Sequence, residues 1–351
     1  MNPLNSKFVF KTGWVSPSNI ALVKYWGKKA KQIPQNPSVS FTLKNSVTIL
    51  TIEVFKSDSF SLDFKFEGVA NSKFQEKISK FLHFQFDEFS WLRGHHLEIS
   101  SHNTFPHSSG IASSASSMSA LCLSLLSVDE HFKGQLYSKD DFFKKASYLS
   151  RLASGSAARS VYGGLVCWGE SSAFPLGSNL YAINFNDTHN IFKDYCDSIL
   201  IVNDSEKSVS SRAGHSLMEN HPYGQIRFHQ AAQNFKDCLH ILKTGDIEKF
   251  ISLVEEEALS LHALMMTSRP SYLLLKPESL KLIEMIRLYR LENHVPVCFT
   301  IDAGPNIHLL YPKKYSDQVK IWVEQIVSVE IPKLQWIHDE VGSGPLKLDC
   351  Q

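Results

Sequence analysis

Apolar and polar positions along the chain follow two periods in turn, and the switches between them outline the elements. Ser46 to Phe55 (SVTILTIEVF) is rich in β-branched residues and predicts a strand, and His96 to Ser100 (HLEIS) predicts a shorter one. Between them Phe74, Ile78, Phe81 and Leu82 recur at helical spacing in KFQEKISKFLHF. A further helix is predicted from Gly110 to about Leu126, on the spacing of Ile111, Ala115, Met118, Leu121, Cys122 and Leu125. In the second half Gln225 to Leu242, Ile247 to Met265 and Pro277 to Leu291 all carry helical periodicity, with Pro277 suited to a first turn. VCFTIDAGPNIHLLYP then predicts strand, turn and strand about Gly304-Pro305-Asn306, and Lys313 to Val327 predicts another helix. Strands and helices mix without strict βαβα alternation, so the expected fold class is α+β rather than a doubly wound sheet. There are no repeats or low-complexity tracts. The expected division is into residues 1–190 and 191–351, although no shift in composition marks it.

Composition narrows the function. A chain of 351 residues has room for two domains. With 43% hydrophobic and 20% charged residues it reads as globular, not disordered. A net charge of +1 argues against a general nucleic-acid binder. The start, MNPLNSKFVFKTGW, lacks the features of a signal peptide, and no apolar run approaches the ~20 residues that span a bilayer. The six cysteines are scattered, without a CxxC pair, so neither a zinc site nor a disulfide framework is expected; most should be buried thiols. These features point to a cytoplasmic protein with a small-molecule partner, not nucleic acid or membrane.

Five segments carry candidate chemistry. In SSGIASSASS (Ser108 to Ser117), Gly110 and small residues lead into a helix whose N-terminus suits phosphate. Ser113 and Ser114 would add hydroxyls or hold a phosphate-bound cation; the alternative is a serine-rich capping loop. It is not a Walker loop, because the GK[ST] ending is missing. In NIALVKYWGKK (Asn19 to Lys29) an apolar run leads to Lys24, Tyr25 and Lys28, which suits an anionic substrate or a strand ending in solvated lysines. ASGSAARSVYGG (Ala153 to Gly164) sets Ser154, Ser156 and Arg159 among small residues. It suits paired hydrogen bonds to an anion, or a packing seam with Arg159 in water. VSSRAG (Val209 to Gly214) offers Ser211 and Arg212, or a plain surface loop. In FTIDAGPN (Phe299 to Asn306), Asp302 is the only acid in an apolar strand, either paired and catalytic or a turn cap. Of the 15 histidines, His102, His107, His215 and His221 flank these segments, which chance adjacency explains. A phosphate loop, several cations and one acid, with no histidine dyad or cysteine nucleophile, suit phosphoryl transfer.

Taken in order, SPSNIALVKYWGKK, NPSVSFTL, NTFPHSSGIASSASSMSAL, SGSAARSVYGGLVCW, VSSRAG and FTIDAGPN resemble the diphosphomevalonate decarboxylases. These belong to the superfamily of galactokinase, homoserine kinase, mevalonate kinase and phosphomevalonate kinase. The resemblance implies a two-domain small-molecule-kinase fold with the active site in the cleft between its α+β halves. It implies ATP-dependent decarboxylation of mevalonate 5-diphosphate to isopentenyl diphosphate through phosphorylation of the tertiary 3-hydroxyl. ATP is then the co-substrate, Mg²⁺ the cofactor and a homodimer the expected assembly. By position in the matching motifs, Asp302 is the catalytic aspartate at the hydroxyl, as base or orienter, and Lys24 lies close to it. Tyr25, Lys28, Ser154, Ser156, Arg159, Ser211 and Arg212 match positions that hold the diphosphate or carboxylate. Asn19, Ser108, Gly110, Ser113 and Ser114 fall on the ATP side, while the Mg²⁺ ligands and the contacting serine of each pair stay open. Two stretches depart from the family: HSSGIASSA stands where TAAGLASSA is usual, and SRPSYL keeps one proline of a common pair. A kinase of the same superfamily, a monophosphate decarboxylase and an inactive ligand sensor are the competing readings.

Overall fold

The longest strands come first, and their burial explains what they face. The structure, a computed structural model, describes residues 7–106, 111–203 and 209–350. Strands β1 (Phe8–Val23) and β2 (Ser38–Lys56) pair antiparallel along most of their length. SVTILTIEVF forms the second part of β2, where buried and half-buried side chains alternate because one face is less covered. The first part of β2 and the end of β1 are buried on both faces. Strands β3 (Ser61–Phe66), β4 (Val69–Ala70) and β5 (His95–Asn103) extend this sheet beyond β2, with β3 parallel to β5. On the same sheet β6 (Leu165–Trp168) pairs with the start of β2, and β7 (Ala182–Asn184) pairs with β6.

The second sheet is antiparallel. It is built from β8 (Cys196–Ile201), β9 (Cys298–Thr300), β10 (Ile307–Tyr311) and β11 (Gln335–Glu340), in the order β11-β8-β10-β9. After β11 the chain returns to the first sheet, where β12 (Leu346–Lys347) pairs with β1. The two sheets with their helices make the α+β architecture expected from the sequence.

Helices α1 (Ser72–His83), α2 (Ser113–Lys133) and α3 (Lys139–Ala153) cover the first sheet. Asn71 and Ser138 cap α1 and α3 by accepting from N–H groups in their first turns. Leu121 and Leu125 of α2 and Leu149 of α3 share a core with Trp14, Ile52 and Leu97 of the sheet. After α4 (Ser211–Ser216), α5 (Gly224–Thr244) and α6 (Ile247–Thr267) fill the space between the sheets. Their Phe235 and Phe250 join Leu22 and Phe41 of the first sheet and Ile199 of the second in one core. α7 (Pro277–Asn293), with Pro277 at its first position, and α8 (Ser316–Trp322) pack on the second sheet.

Three elements differ from their sequence prediction. α2 starts at Ser113, after Ala112 in the left-handed region (φ +47°), and runs past Leu126 to Lys133, where left-handed Gly134 stops it. The helix expected over Lys313–Val327 is composite, with a 3₁₀ turn at Lys313–Tyr315, then α8, then a wide π turn at Val323–Val327. β9 ends at Thr300, so Asp302 stands beyond the strand rather than in it. All six cysteines are free, five of them buried. Among the described residues no helix is long and apolar enough to cross a membrane.

Candidate active site

β1 ends at Val23 and delivers Lys24 into the space between the sheets. The alternative of a strand ending in solvated lysines fails at Lys24, whose side chain is 2% exposed. Its Nζ donates to Asp302 Oδ1 at 2.7 Å, and its backbone N–H donates to Glu257 Oε2 at 2.8 Å. Glu257 is buried on α6 and accepts from Arg227 Nη1 and Nη2 at 2.8 and 2.6 Å and from Asn234 Nδ2 at 2.7 Å. Helices α5 and α6 thereby fix the end of β1. Burial pushes the Lys24 ammonium below its usual range, against the attraction of Asp302.

Asp302 is more open than its partner, with 26% of its side chain exposed. The turn that follows is closed by its backbone carbonyl, which accepts from Gly304 N–H at 2.7 Å and from His262 Nε2 at 3.1 Å. Its carboxylate pairs with Lys24, which a turn cap does not require.

Arg159 ends a 3₁₀ turn, Gly155–Arg159, and is buried rather than facing water. Its Nε donates to Asn19 Oδ1 at 3.3 Å, its Nη1 donates to Ser38 Oγ, and its guanidinium lies over the Trp168 ring, 5.9 Å from the centroid. Burial brings its pKa down to about 10, partly countered by Asp302, so it stays charged at neutral pH. Asn19 is not on the cleft wall; its Nδ2 donates to Ser160 Oγ at 2.7 Å and to the Ser156 carbonyl at 3.2 Å, locking the turn that carries Arg159.

These groups open onto a cleft of about 590 Å³. Tyr25, Lys28, Ser114, Ser154, Ser156 and Ser211 also line it. The Tyr25 ring packs on Trp168 and His215, and its buried hydroxyl has no partner among the described residues. Gly155 makes room for that ring, since a Cβ there would stand 2.7 Å from the hydroxyl. Ser114, in the first turn of α2, donates to Ser154 Oγ at 3.2 Å and accepts from Lys77 Nζ at 3.2 Å. Ser113 is not among the lining residues. Ser210 caps α4 by accepting from Ala213 N–H at 3.2 Å, which sets Ser211 at the start of that helix. Ser108, Gly110 and the Arg212 side chain lie outside the described residues, as does His107.

Sequence reasoning missed several lining residues. Lys73 and Lys77 sit one turn apart on the polar face of α1, where lysines ordinarily mark solvent. His215, expected to be only a chance neighbour of its motif, lines the cleft and accepts from Gly27 N–H at 3.0 Å through Nδ1. His102 conforms to expectation on the surface beside Glu67, and His221 is a buried helix-end partner of the Leu264 carbonyl.

The described lining holds five cationic side chains, Lys24, Lys28, Lys73, Lys77 and Arg159, and one carboxylate, Asp302. Such a wall suits polyanionic ligands, and the first turn of α2 adds N–H groups at one end. Among the described residues no group of three His, Cys, Asp or Glu side chains is arranged to hold a metal. A hard cation here takes most of its oxygens from a phosphate ligand and water, as Mg²⁺ does, and the Ser114 hydroxyl fits that donor set.

Known proteins share this fold. The diphosphomevalonate decarboxylase-like N-terminal domain matches residues 16–182, and the mevalonate 5-diphosphate decarboxylase C-terminal domain matches residues 198–345. The diphosphomevalonate decarboxylase of Candida albicans is 28% identical over 327 residues, spanning 89% of this chain and 87% of its own. A solved structure described as MDDEF in complex with MVAPP, AMPPCP and magnesium superposes with a TM-score of 0.82 at 27% identity, over 97% of this chain and 99% of that one. A structure of the mevalonate diphosphate decarboxylase from Enterococcus faecalis, concerned with mevalonate diphosphate-mediated ATP binding, gives 0.81 at 26% identity, over 97% and 99%.

Proposed function

The chain belongs to the diphosphomevalonate decarboxylase family, and from that premise we propose how its cleft converts mevalonate 5-diphosphate and ATP to isopentenyl diphosphate, ADP, phosphate and CO₂. The observation that carries the proposal is the Lys24–Asp302 pair, 2.7 Å apart at the base of a cationic cleft. A 3-hydroxy acid decarboxylates poorly because hydroxide is a poor leaving group, and phosphorylation of that hydroxyl removes the difficulty.

Asp302 orients the tertiary hydroxyl by accepting its hydrogen bond and takes its proton as the O–P bond forms. The hydroxyl oxygen then bonds to the γ-phosphorus as the bond to ADP breaks. Lys24 holds Asp302 in place and offsets charge on the moving phosphoryl group. Next the C–O bond breaks, phosphate leaves with its electron pair, and the bond to the carboxylate breaks to release CO₂. That second electron pair forms the double bond. Arg159 with Tyr25, Lys28, Ser154, Ser156, Ser211 and Arg212 holds the substrate's anionic ends so that the hydroxyl faces Asp302. Ser108, Gly110 and Ser114 are assigned to the ATP phosphates; Ser113, off the cleft wall, is not. Asn19 touches neither ligand directly and serves the substrate side through the turn that it locks beneath Arg159. Mg²⁺, when bound, would supply charge neutralisation on the ATP phosphates, and the Ser114 hydroxyl would be available to help hold it.

On this reading residues 1–190 supply the nucleotide loop and the cations, and residues 191–351 supply the acid. The family resemblance supports a homodimer in the cytoplasm. The test is a substrate panel of mevalonate, its 5-phosphate and its 5-diphosphate, each with ATP and with or without Mg²⁺. ADP release that requires Mg²⁺ and prefers the diphosphate is expected; preference for either other substrate overturns the assignment.

A further inference from the structure

Tyr25 and Lys28 lie on a stretch of irregular backbone, Lys24-Tyr25-Trp26-Gly27-Lys28, between the end of β1 and the next turn. Such a stretch has no strand ladder to fix it, and Gly27 adopts φ +100°, a conformation that side-chain-bearing residues avoid. Gln35 N–H holds the Gly27 carbonyl at 3.3 Å and Asn36 Nδ2 the Lys24 carbonyl at 3.1 Å, and the other half of the chain adds a further hold. His215, near the end of α4, accepts the Gly27 N–H at 3.0 Å through Nδ1. Its ring is packed against Tyr25 and Trp26, with centroids 4.5 and 4.6 Å away.

That hydrogen bond also settles the tautomer. Nδ1 is an acceptor here, so the proton of the neutral ring is on Nε2. Burial, reinforced by nearby Lys28, lowers the His215 pKa to about 3, so the ring is neutral at any working pH. His215 is 8% exposed, and the exposed part is cleft wall, beside Lys28 and Ser211.

We propose that His215 is a substrate-positioning residue, pinning Gly27 through Nδ1 and presenting its Nε2–H to the diphosphate of the substrate. The proposal rests on the functional reading above. A neutral donor adds a directed hydrogen bond to an anion already surrounded by lysines, without adding another charge. The pin aligns Tyr25 and Lys28 with the same anion.

The two nitrogens are separable by substitution. His215→Asn keeps an acceptor near Nδ1 and loses the Nε2 donor. His215→Gln keeps a donor near Nε2 and loses the acceptor. His215→Phe keeps the ring and loses both. Binding of mevalonate 5-diphosphate and of Mg·ATP is measured by calorimetry on wild type and on each variant that melts within a few degrees of it. The Phe variant is expected to bind mevalonate 5-diphosphate at least about tenfold more weakly, the scale of one lost hydrogen bond to a charged group. Asn and Gln should each lose part of that, and Mg·ATP affinity should change by less than about twofold in all three. If the Phe variant does not fold, Asn and Gln decide the matter. Wild-type affinity for mevalonate 5-diphosphate in every folded variant overturns the proposal, as does an equal loss for both ligands. Wild-type CO₂ release is followed separately. A wild type that binds the diphosphate but releases no CO₂ overturns the functional reading, while the variant ratios still decide His215. A wild type that does not bind it overturns both.

Discussion

Asp302 and Lys24 are 278 positions apart in the chain and 2.7 Å apart in space. With Asn at 302 the turn persists, because the backbone carbonyl closes it, but a neutral amide is a poor base. Asp302→Asn should therefore lower turnover about 10²–10⁴-fold while Mg·ATP affinity is kept. Steady-state rates and nucleotide titration on the folded variant check this; turnover within about tenfold of wild type would return Asp302 to turn capping. Arg159→Lys keeps the charge but loses the planar fork that reaches Asn19 and Ser38. It should cost about 1.5–3 kcal/mol, roughly ten- to a hundredfold in kcat or KM for the diphosphate. Wild-type values of both constants would take Arg159 out of the site. At this scale the sequence was legible where a residue was out of place, as with a lone acid beside a turn or an arginine among small residues. Lys73 and Lys77 were not legible, because they follow the helical pattern that exposed lysines also follow. His215 was hidden because its role depends on Gly27, which lies far away in the chain.

Among the elements, the glycine pair Gly163-Gly164 shows how a motif can be structural. The chain beyond β11 crosses back over the first sheet here. Gly164 N–H donates to the Gly342 carbonyl at 2.8 Å, and Gly342 N–H donates to the Thr42 carbonyl at 2.8 Å. A Cβ on Gly163 would stand 2.1 Å from the Ser343 carbonyl oxygen. Gly163→Ala must therefore displace backbone, and we expect a stability loss of about 1–3 kcal/mol. Thermal melting reads it, and an unchanged midpoint would show that the crossing is loose. Helical periodicity placed α5, α6 and α7 well, because each buries one long face. β8 was not predicted, since it is buried on both faces and shows no alternation. Its polar residues also break the apolar run: Asp197 pairs with His308, and Ser198 with Tyr311 and His338. Those partners lie over 100 positions away, beyond any local window.

For the whole molecule, a net charge of +1 conceals a cleft whose described lining has five cationic side chains and one acid. The balance comes from a small excess of acidic side chains over the rest of the chain. What matters to a polyanionic substrate is the local field, focused between low-dielectric walls. The cleft exists because one core, shared by β1, β2, α5, α6 and the second sheet, sets the end of β1 opposite the turn after β9. Motif order revealed the family resemblance; the sharing of that core, which brings Lys24 to Asp302, needed the fold. On the proposed reading this cleft couples phosphoryl transfer to decarboxylation. The direct measurement is ADP and CO₂ counted in the same vessel, from wild-type protein with limiting, carboxyl-labelled mevalonate 5-diphosphate, ATP and Mg²⁺. Equal amounts of each are expected, one per substrate consumed; ADP formed without CO₂ would contradict this coupling and mark the protein as a kinase.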